Sequence, residues 1–286
     1  ELISTPPLIE NGMSEEEWWL EFFGLELNKA NPENSQVKYC EFPLRKPFFD
    51  WKDRNVFQNH PTMQLKINSD EELKLINRSL KKKYAVISQK DSENIEKHIV
   101  NIDIKDNDFI QIVTIGSQAA NKTKDYIKDF IEVALKKIEK DDSSVNYYFF
   151  AACGKHEVGK NDLFFQVAAI CEKIPKEFRD RIHIIPLGYQ DGEEFAAMMH
   201  RANVGIYGAG GLTTMEALTV AKGLVLFHSE VSNSGSLIMK SPQDLQHFLL
   251  QGFAVWEKGN VRYALNRNKN AKIVIPGEIY KNFLLQ

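Results

Sequence analysis

The chain has 286 residues, of which 43% are hydrophobic, 26% charged and 11% aromatic. This composition is typical of a folded globular protein and excludes a disordered or low-complexity chain. The formal net charge of −3 provides no basic field for nucleic acid. No run approaches the roughly 20 apolar residues of a membrane span. We therefore expect neither a nucleic-acid partner nor a transmembrane segment.

The cysteines and histidines indicate neither a disulfide framework nor a metal site. Cys40, Cys153 and Cys171 are widely spaced and form no CxxC pair. The histidines show no HxxxH or HExxH pattern, so no metal is expected. This cysteine usage favours a reducing compartment, and we expect a cytoplasmic location. Residues 1–12 lack the pattern of a signal peptide, and a start at Glu1 indicates part of something longer.

Residues 1–108 show no alternation of strand and helix patterns, because prolines interrupt them repeatedly. We predict an irregular, partly helical region here. Ser14 and Glu17 fit a capping box that opens a short helix. This helix carries large aromatics, which we expect to pack onto the rest of the chain instead of a membrane or a partner. They are Trp18, Trp19, Phe22 and Phe23.

From residue 109 onward, apolar β-branched runs alternate with stretches of helical periodicity. The predicted strands are 109–115, 145–152, 182–186, 204–207, 224–227 and 254–256. The predicted helices begin near residues 122, 162, 192, 213 and 242, the third of them with a capping box at 191–194. This alternation predicts right-handed crossovers and a parallel sheet. We therefore assign 109–265 to a doubly wound, Rossmann-like α/β domain and 266–286 to a C-terminal extension.

The loop after the first predicted strand is a candidate anion site, because such sheets bind ligands beyond the carboxyl ends of their strands. Gly116 permits close approach of the backbone, and Ser117 offers a hydroxyl at the start of a helix. Lys122 adds a full positive charge. The spacing of a P-loop is absent, and an ordinary strand-to-helix turn is the alternative.

The loop after the fourth predicted strand has three glycines within Gly208–Gly211. Thr213 and Thr214 follow, with hydroxyl and N–H donors at a helix N-terminus, where the dipole favours phosphate. We expect Glu216 in the first turn of this helix, where its carboxylate can accept two hydrogen bonds from a ribose. Alternatively, Glu216 only complements the helix dipole. The GxGxxG spacing of a dinucleotide-binding fingerprint is absent.

The segment from Ala202 to Leu218, which reads ANVGIYGAGGLTTMEAL, resembles the donor-binding motif of GT-B glycosyltransferases. The likeness is to the branch that includes the peptidoglycan N-acetylglucosaminyltransferase and the diacylglycerol glycosyltransferases. Gly116-Ser117-Gln118-Ala119 is similar to the Gly-Ser-Gln-Gly loop of that family, and 182–199 to the strand before its nucleotide-base loop. The resemblance covers about residues 110–256. It implies metal-independent transfer of a sugar from a nucleotide-diphosphate donor to an acceptor hydroxyl, without a cofactor.

The resemblance also implies which residues contact the donor. Glu216 would hold the ribose hydroxyls, and Gly188 and Tyr189 would border the base. The diphosphate would lie between the two loops, facing Ser117, Gln118, Leu212, Thr213 and Thr214. From their positions in the sequence and not from the resemblance, we expect Gly116, Lys122, Gly210 and Gly211 to contact the donor as well. His228, at a strand end, would touch the donor sugar or phosphate, or else be structural. UDP-sugar is the default donor, with GDP-sugar as the alternative.

Several departures from the family leave alternatives open. Asn203 stands where the family has aspartate, and Lys240 and Asp244 stand where its sugar-contacting Gln and Asn fall, so the donor sugar is open. Residues 1–108 are too short for a complete acceptor domain, and no catalytic base is assigned. The chain is therefore the donor-binding half of an enzyme or a non-catalytic nucleotide-sugar binding or interaction module. An epimerase or phosphorylase on the same fold is a third possibility. The acceptor, whether protein, lipid or glycan, is open.

Overall fold

The computed structural model describes residues 2–4, 13–39, 44–52, 62–90, 96–115, 120–140, 144–154, 162–231 and 242–285. The strands in these ranges are β1 Leu2–Ser4, β2 Val37–Tyr39, β3 Thr62–Lys66, β4 Ile87–Lys90, β5 Glu96–Asp103, β6 Phe109–Thr114, β7 Tyr147–Ala152, β8 Ile182–Leu187, β9 Val204–Tyr207, β10 Leu224–His228 and β11 Ala271–Val274. The α-helices are α1 Glu15–Phe23, α2 Lys46–Lys52, α3 Asp70–Ser79, α4 Ala120–Lys140, α5 Leu163–Cys171, α6 Gly192–Arg201, α7 Gly211–Val220, α8 Pro242–Leu250, α9 Val255–Arg267 and α10 Glu278–Leu285.

Strands β6 to β11 form one parallel sheet in the order β11-β10-β9-β6-β7-β8. The chain runs from β6 to one edge of the sheet, returns to β9 on the other side of β6, and continues to the opposite edge. This is the strand order of a doubly wound, Rossmann-like sheet, which confirms the predicted fold class. The carboxyl ends of β6 and β9 therefore form the topological switch point, where such sheets bind ligands.

Both faces of this sheet are buried. Tyr126 and Phe130 of α4 and Tyr280 of α10 pack on one face. Helices α6 to α9 pack on the other face, together with residues of the N-terminal part such as Phe48 and Leu65. Burial on both sides explains why the strands read as continuous apolar runs. No described helix has the length and apolar character needed to cross a bilayer.

The C-terminal boundary differs from the one predicted. Residues 254–256, expected as a strand, lead instead into α9. The sixth strand is β11, at 271–274, so the sheet extends beyond the expected boundary at 265. Short apolar runs do not distinguish a strand from a buried helix, which is why the prediction for 254–256 was wrong.

The N-terminal part contains a three-stranded antiparallel sheet in the order β3-β5-β4. This sheet corrects the prediction of an irregular region. Every residue of β4 is exposed, and the strand shows no alternation of buried and exposed positions. Strand β3 contacts α6, and α3 contacts β8, so this small sheet lies against the parallel domain.

Helix α1 begins with the predicted capping box. The Ser14 hydroxyl accepts from the Glu17 N–H at 3.1 Å, and the Glu17 carboxylate accepts from the Ser14 N–H at 2.8 Å. Trp19 is buried as expected, whereas Phe23 is 57% exposed. Instead of packing onto the parallel domain, the Phe23 ring contacts Trp18 and Trp19 of its own helix.

Candidate functional site

The loop after β9 lies directly on the end of β6. The Gly208 N–H donates to the Thr114 carbonyl at 2.9 Å. A Cβ atom at Gly208 would lie 3.3 Å from the Ile115 carbonyl oxygen, so only a glycine fits here without displacement. The glycine loop therefore meets the carboxyl end of β6 at the switch point. Gly116, Ser117 and Gln118 lie outside the described residues, and their diphosphate contacts stay predictions.

Helix α7 begins at Gly211, two residues before the predicted start. The first N–H groups of a helix have no partner inside it, and the N-cap, Gly210, has no side chain with which to cap them. These donors and the positive end of the helix dipole favour an anion. Thr213 is partly exposed at this end. The Thr214 side chain is buried, and its hydroxyl has no hydrogen-bond partner among the described residues.

Glu216 lies in the second turn of α7, and the prediction of a first-turn position was wrong because the helix begins earlier. Its side chain is only 2% exposed. Both carboxylate oxygens are bound by Arg45: Nε donates to Oε1 at 2.6 Å and Nη2 donates to Oε2 at 3.0 Å. Glu216 therefore lies on the helix that follows the glycine loop, and its partner in this structure is an arginine of the N-terminal part.

Arg45 was not predicted from the sequence as a site residue. Its guanidinium makes two side-chain contacts. Its guanidinium lies 4.6 Å from the centre of the Phe48 ring, in addition to its ion pair with Glu216. The hydrogen bond to Glu216 raises the pKa of Arg45. Phe48 is fully buried and anchors α2, which contacts both α6 and α7. No local pattern marks Arg45 as a site residue, because its partner is 171 positions away along the chain.

Gly188 and Tyr189, the residues expected to border a base, differ in accessibility. Gly188 is buried, and its N–H donates to the Glu72 carboxylate at 2.6 Å. Glu72 is fully buried and also accepts from the backbone N–H and the side-chain amide of Asn68, at 2.8 and 2.9 Å. The side chain of Tyr189 is 50% exposed. A base could therefore stack on Tyr189, whereas the Gly188 N–H already has a partner.

Asp191 is the N-cap residue of α6, but it does not cap the helix with its side chain. Its carboxylate binds Lys66 of β3 at 3.1 Å and Lys97 of β5 at 3.0 Å. The predicted capping box at 191–194 is therefore absent, because the small antiparallel sheet supplies stronger, charged partners.

Lys122 and His228 line one cavity of about 280 Å³, between the start of α4 and the carboxyl ends of β10 and β11. His228 is buried, and Tyr126 Oη lies 2.8 Å from its Nδ1. Burial, followed by the charge of Lys122, lowers the pKa of His228 to about 4, so the imidazole is neutral at pH 7. Asp125 and Asp129 also line the cavity, which therefore carries groups of both charges.

Two positions differ from the sugar-contacting residues of the family, and only one of them lies within the described residues. Asp244 is exposed in the first turn of α8, and Lys240 lies outside the described residues. Within the described ranges, no group of three or more His, Cys, Asp and Glu residues is arranged to hold a metal ion.

A scan against protein-family models gives no match, and neither does a comparison with curated proteins. Solved structures give distant matches. WaaG, a glycosyltransferase involved in lipopolysaccharide biosynthesis, is 14% identical over 84% of this chain, with a TM-score of 0.35. A UDP-forming α,α-trehalose-phosphate synthase from Burkholderia xenovorans is 9% identical over 99% of the chain, with a TM-score of 0.35. OtsA without ligand is 11% identical over 44%, with a TM-score of 0.32. The matched parts are 50%, 60% and 30% of those three chains, so this chain spans less than two thirds of each.

Proposed function

We propose that this chain binds a nucleotide-diphosphate sugar and is the donor-binding part of a metal-independent glycosyltransferase. The observation that carries the proposal is the contact between the Gly208–Gly211 loop and the end of β6. The segment that resembles a donor-binding motif thereby coincides with the switch point, where a doubly wound sheet binds ligands. UDP-sugar is the default donor, and GDP-sugar is the alternative.

In this proposal the diphosphate lies against the start of α7 and near Lys122. An acceptor hydroxyl attacks the anomeric carbon of the sugar, the bond from that carbon to the diphosphate oxygen breaks, and the nucleoside diphosphate leaves. The N–H groups at the start of α7 offset the charge that develops on the leaving oxygen. A base must take the proton of the acceptor hydroxyl, and this role is unassigned.

Titration calorimetry with UDP- and GDP-sugars in EDTA tests the proposal. We expect binding by at least one donor, and no heat from any donor at millimolar concentration would refute it. The second step compares Lys122→Ala with Lys136→Ala, which removes a lysine of the same helix that is paired with Glu132. Lys122→Ala should weaken the binding of UDP by about 1.5–3 kcal/mol and leave the binding of uridine unchanged, because the lysine contacts only phosphate. Equal losses for UDP and uridine would make Lys122 a surface residue of α4.

A non-catalytic nucleotide-sugar binding or interaction module is the second candidate. The ion pair of Glu216 with Arg45 and the hydrogen bond from Gly188 to Glu72 favour an interaction module, because two groups implied in nucleoside recognition have partners within the chain. Incubation of the chain with a labelled nucleotide sugar and a panel of protein, lipid and glycan acceptors separates the two candidates. Formation of labelled product would favour the enzyme. Hydrolysis of the donor at a higher rate than in a variant substituted at both Gly210 and Glu216 would favour it as well.

A further inference from the structure

The N-terminal part of the chain lies across the implied nucleoside position. Arg45 connects α7 to the start of α6: it binds Glu216, and a Cβ atom at Gly192 would lie 3.8 Å from its Nη1. The guanidinium thus covers the carboxylate implied for the ribose.

We propose that Arg45 is an internal competitor of the nucleoside, so that a nucleotide binds only after the Arg45 side chain has left Glu216. This inference rests on the proposed function, and specifically on Glu216 as the ribose contact. It makes Arg45 a residue that sets the affinity and selectivity of the site, although it lies outside the motif.

The geometry of the ion pair favours arginine over a ribose in the resting chain. Both oxygens of Glu216 accept hydrogen bonds from one cationic guanidinium in a bidentate pair, and the positive charge adds an attraction that the neutral hydroxyls of a ribose do not supply. The 2% exposure of Glu216 leaves a ribose no path to the carboxylate while Arg45 is in place.

Only the Arg45 side chain has to move. Helix α2 is anchored by the fully buried Phe48, whereas the Arg45 side chain is 40% exposed. Rotation about its side-chain bonds carries the guanidinium into solvent without disturbing the helix. Glu72, which binds Gly188, is fully buried and lacks this freedom. Glu216 then exchanges one partner for another, and the diphosphate at the start of α7 supplies the remaining attraction.

Arg45→Ala and Lys46→Ala form a matched pair for the test. Lys46 is the next residue, also cationic, and its partner is Asp50 on the exposed side of α2. The apparent affinity equals the intrinsic affinity multiplied by the fraction of molecules in which Arg45 has left Glu216. We therefore expect Arg45→Ala to bind UDP roughly tenfold more tightly than wild type. Lys46→Ala should bind like wild type. Calorimetry with UDP measures all three chains.

The other outcomes are distinct. Equal or weaker UDP binding by Arg45→Ala overturns the inference and makes Arg45 neutral or a ligand contact, while UDP binding by wild type still upholds the proposed function. Absence of UDP binding in wild type and every variant overturns both.

Circular dichroism establishes folding, and Arg45→Gln, which keeps one donor for Glu216, replaces Arg45→Ala if that variant is unfolded. In wild type, the Arg45 Nε–H resonance should lose its protection from exchange when UDP saturates the site. Retained protection overturns the inference.

Discussion

The parallel sheet buries its strands on both faces, whereas the antiparallel sheet β3-β5-β4 buries at most one. All six residues of β8 are buried, and in β6 only the two end residues are partly exposed. Strand β3 alternates between buried and accessible residues, and β4 is exposed throughout. A strand that is buried on both faces must be apolar along its length, so its own sequence predicts a strand. A one-sided edge strand can be almost entirely polar, and its order comes from its neighbours.

The N-terminal part also depends on contacts across long stretches of chain. Lys66 exchanges two backbone hydrogen bonds with the Gln190 side chain, 124 positions away. Glu72 reaches Gly188 over 116 positions, and Arg45 reaches Glu216 over 171. We conclude that the parallel domain is the template on which the N-terminal part is ordered.

The largest expected effect comes from the anchor of α2. Phe48 is fully buried and Phe49 is 61% exposed, so the two neighbours form a matched pair. Phe48→Ala should lower the free energy of unfolding by about 3–5 kcal/mol, through lost burial and the remaining cavity. Phe49→Ala should change it by less than about 0.5 kcal/mol. Urea unfolding measures both, and equal small effects would show that α2 is not part of the common core.

A smaller effect is expected from Glu72→Gln, which keeps the shape of the side chain but replaces an acceptor with a donor. The buried carboxylate accepts from Gly188 and Asn68, so at least one of those N–H groups would lose its partner. We expect a loss of about 1.5–3 kcal/mol of unfolding free energy.

The control is Glu71→Gln, in the same turn of α3 and only partly buried. There the loss should stay below about 1 kcal/mol, the size of a helix-dipole interaction. Similar losses for the two variants would mean that the Glu72 contact does not hold the N-terminal part to β8.

The smallest of the three effects is a loss of unfolding free energy at acidic pH, and it concerns the parallel domain alone. The pKa of His228 is lowered from its ordinary 6.5 to about 4, mainly by burial. As the pH falls below 6.5, the unfolded chain takes up the proton before the folded chain does, and stability is lost. Between about pH 7.5 and about pH 5 this should amount to about 2 kcal/mol. Urea unfolding at both pH values should show a smaller loss in His228→Gln; an unchanged loss would contradict the assignment.

The regular part of the fold was predictable because each element carries its own pattern. Strand β9 was predicted at its observed bounds, 204–207. Helix α5, predicted to begin near 162, is capped by Asp162, which accepts from the Phe165 N–H at 3.3 Å. The failures lie where the pattern is short or polar. Residues 254–256 are too few to distinguish strand from helix, and β11 begins with the mixed sequence Ala-Lys-Ile-Val.

The positions of the loops at the candidate site could be predicted from the sequence, but the partners of its side chains could not. The glycines of the Gly208–Gly211 loop marked the place, and the close approach of Gly208 to the Ile115 backbone explains one of them. The partners of Glu216 and Gly188 come from residues with no motif of their own, and an ion pair between distant positions leaves no trace in a single sequence. The same holds for Asp191, whose capping pattern was correct in form but whose carboxylate is taken by Lys66 and Lys97.

The distance along the chain between Arg45 and Glu216 sets the order of events during synthesis. The ribosome releases Arg45 171 residues before its partner, which at about 5–20 residues per second is an interval of roughly 10–30 s. For most of that time neither α6 nor α7 has been synthesised, so Phe48 cannot make its packing contacts with them. Helix α2 can therefore take its native position only after translation has passed α7.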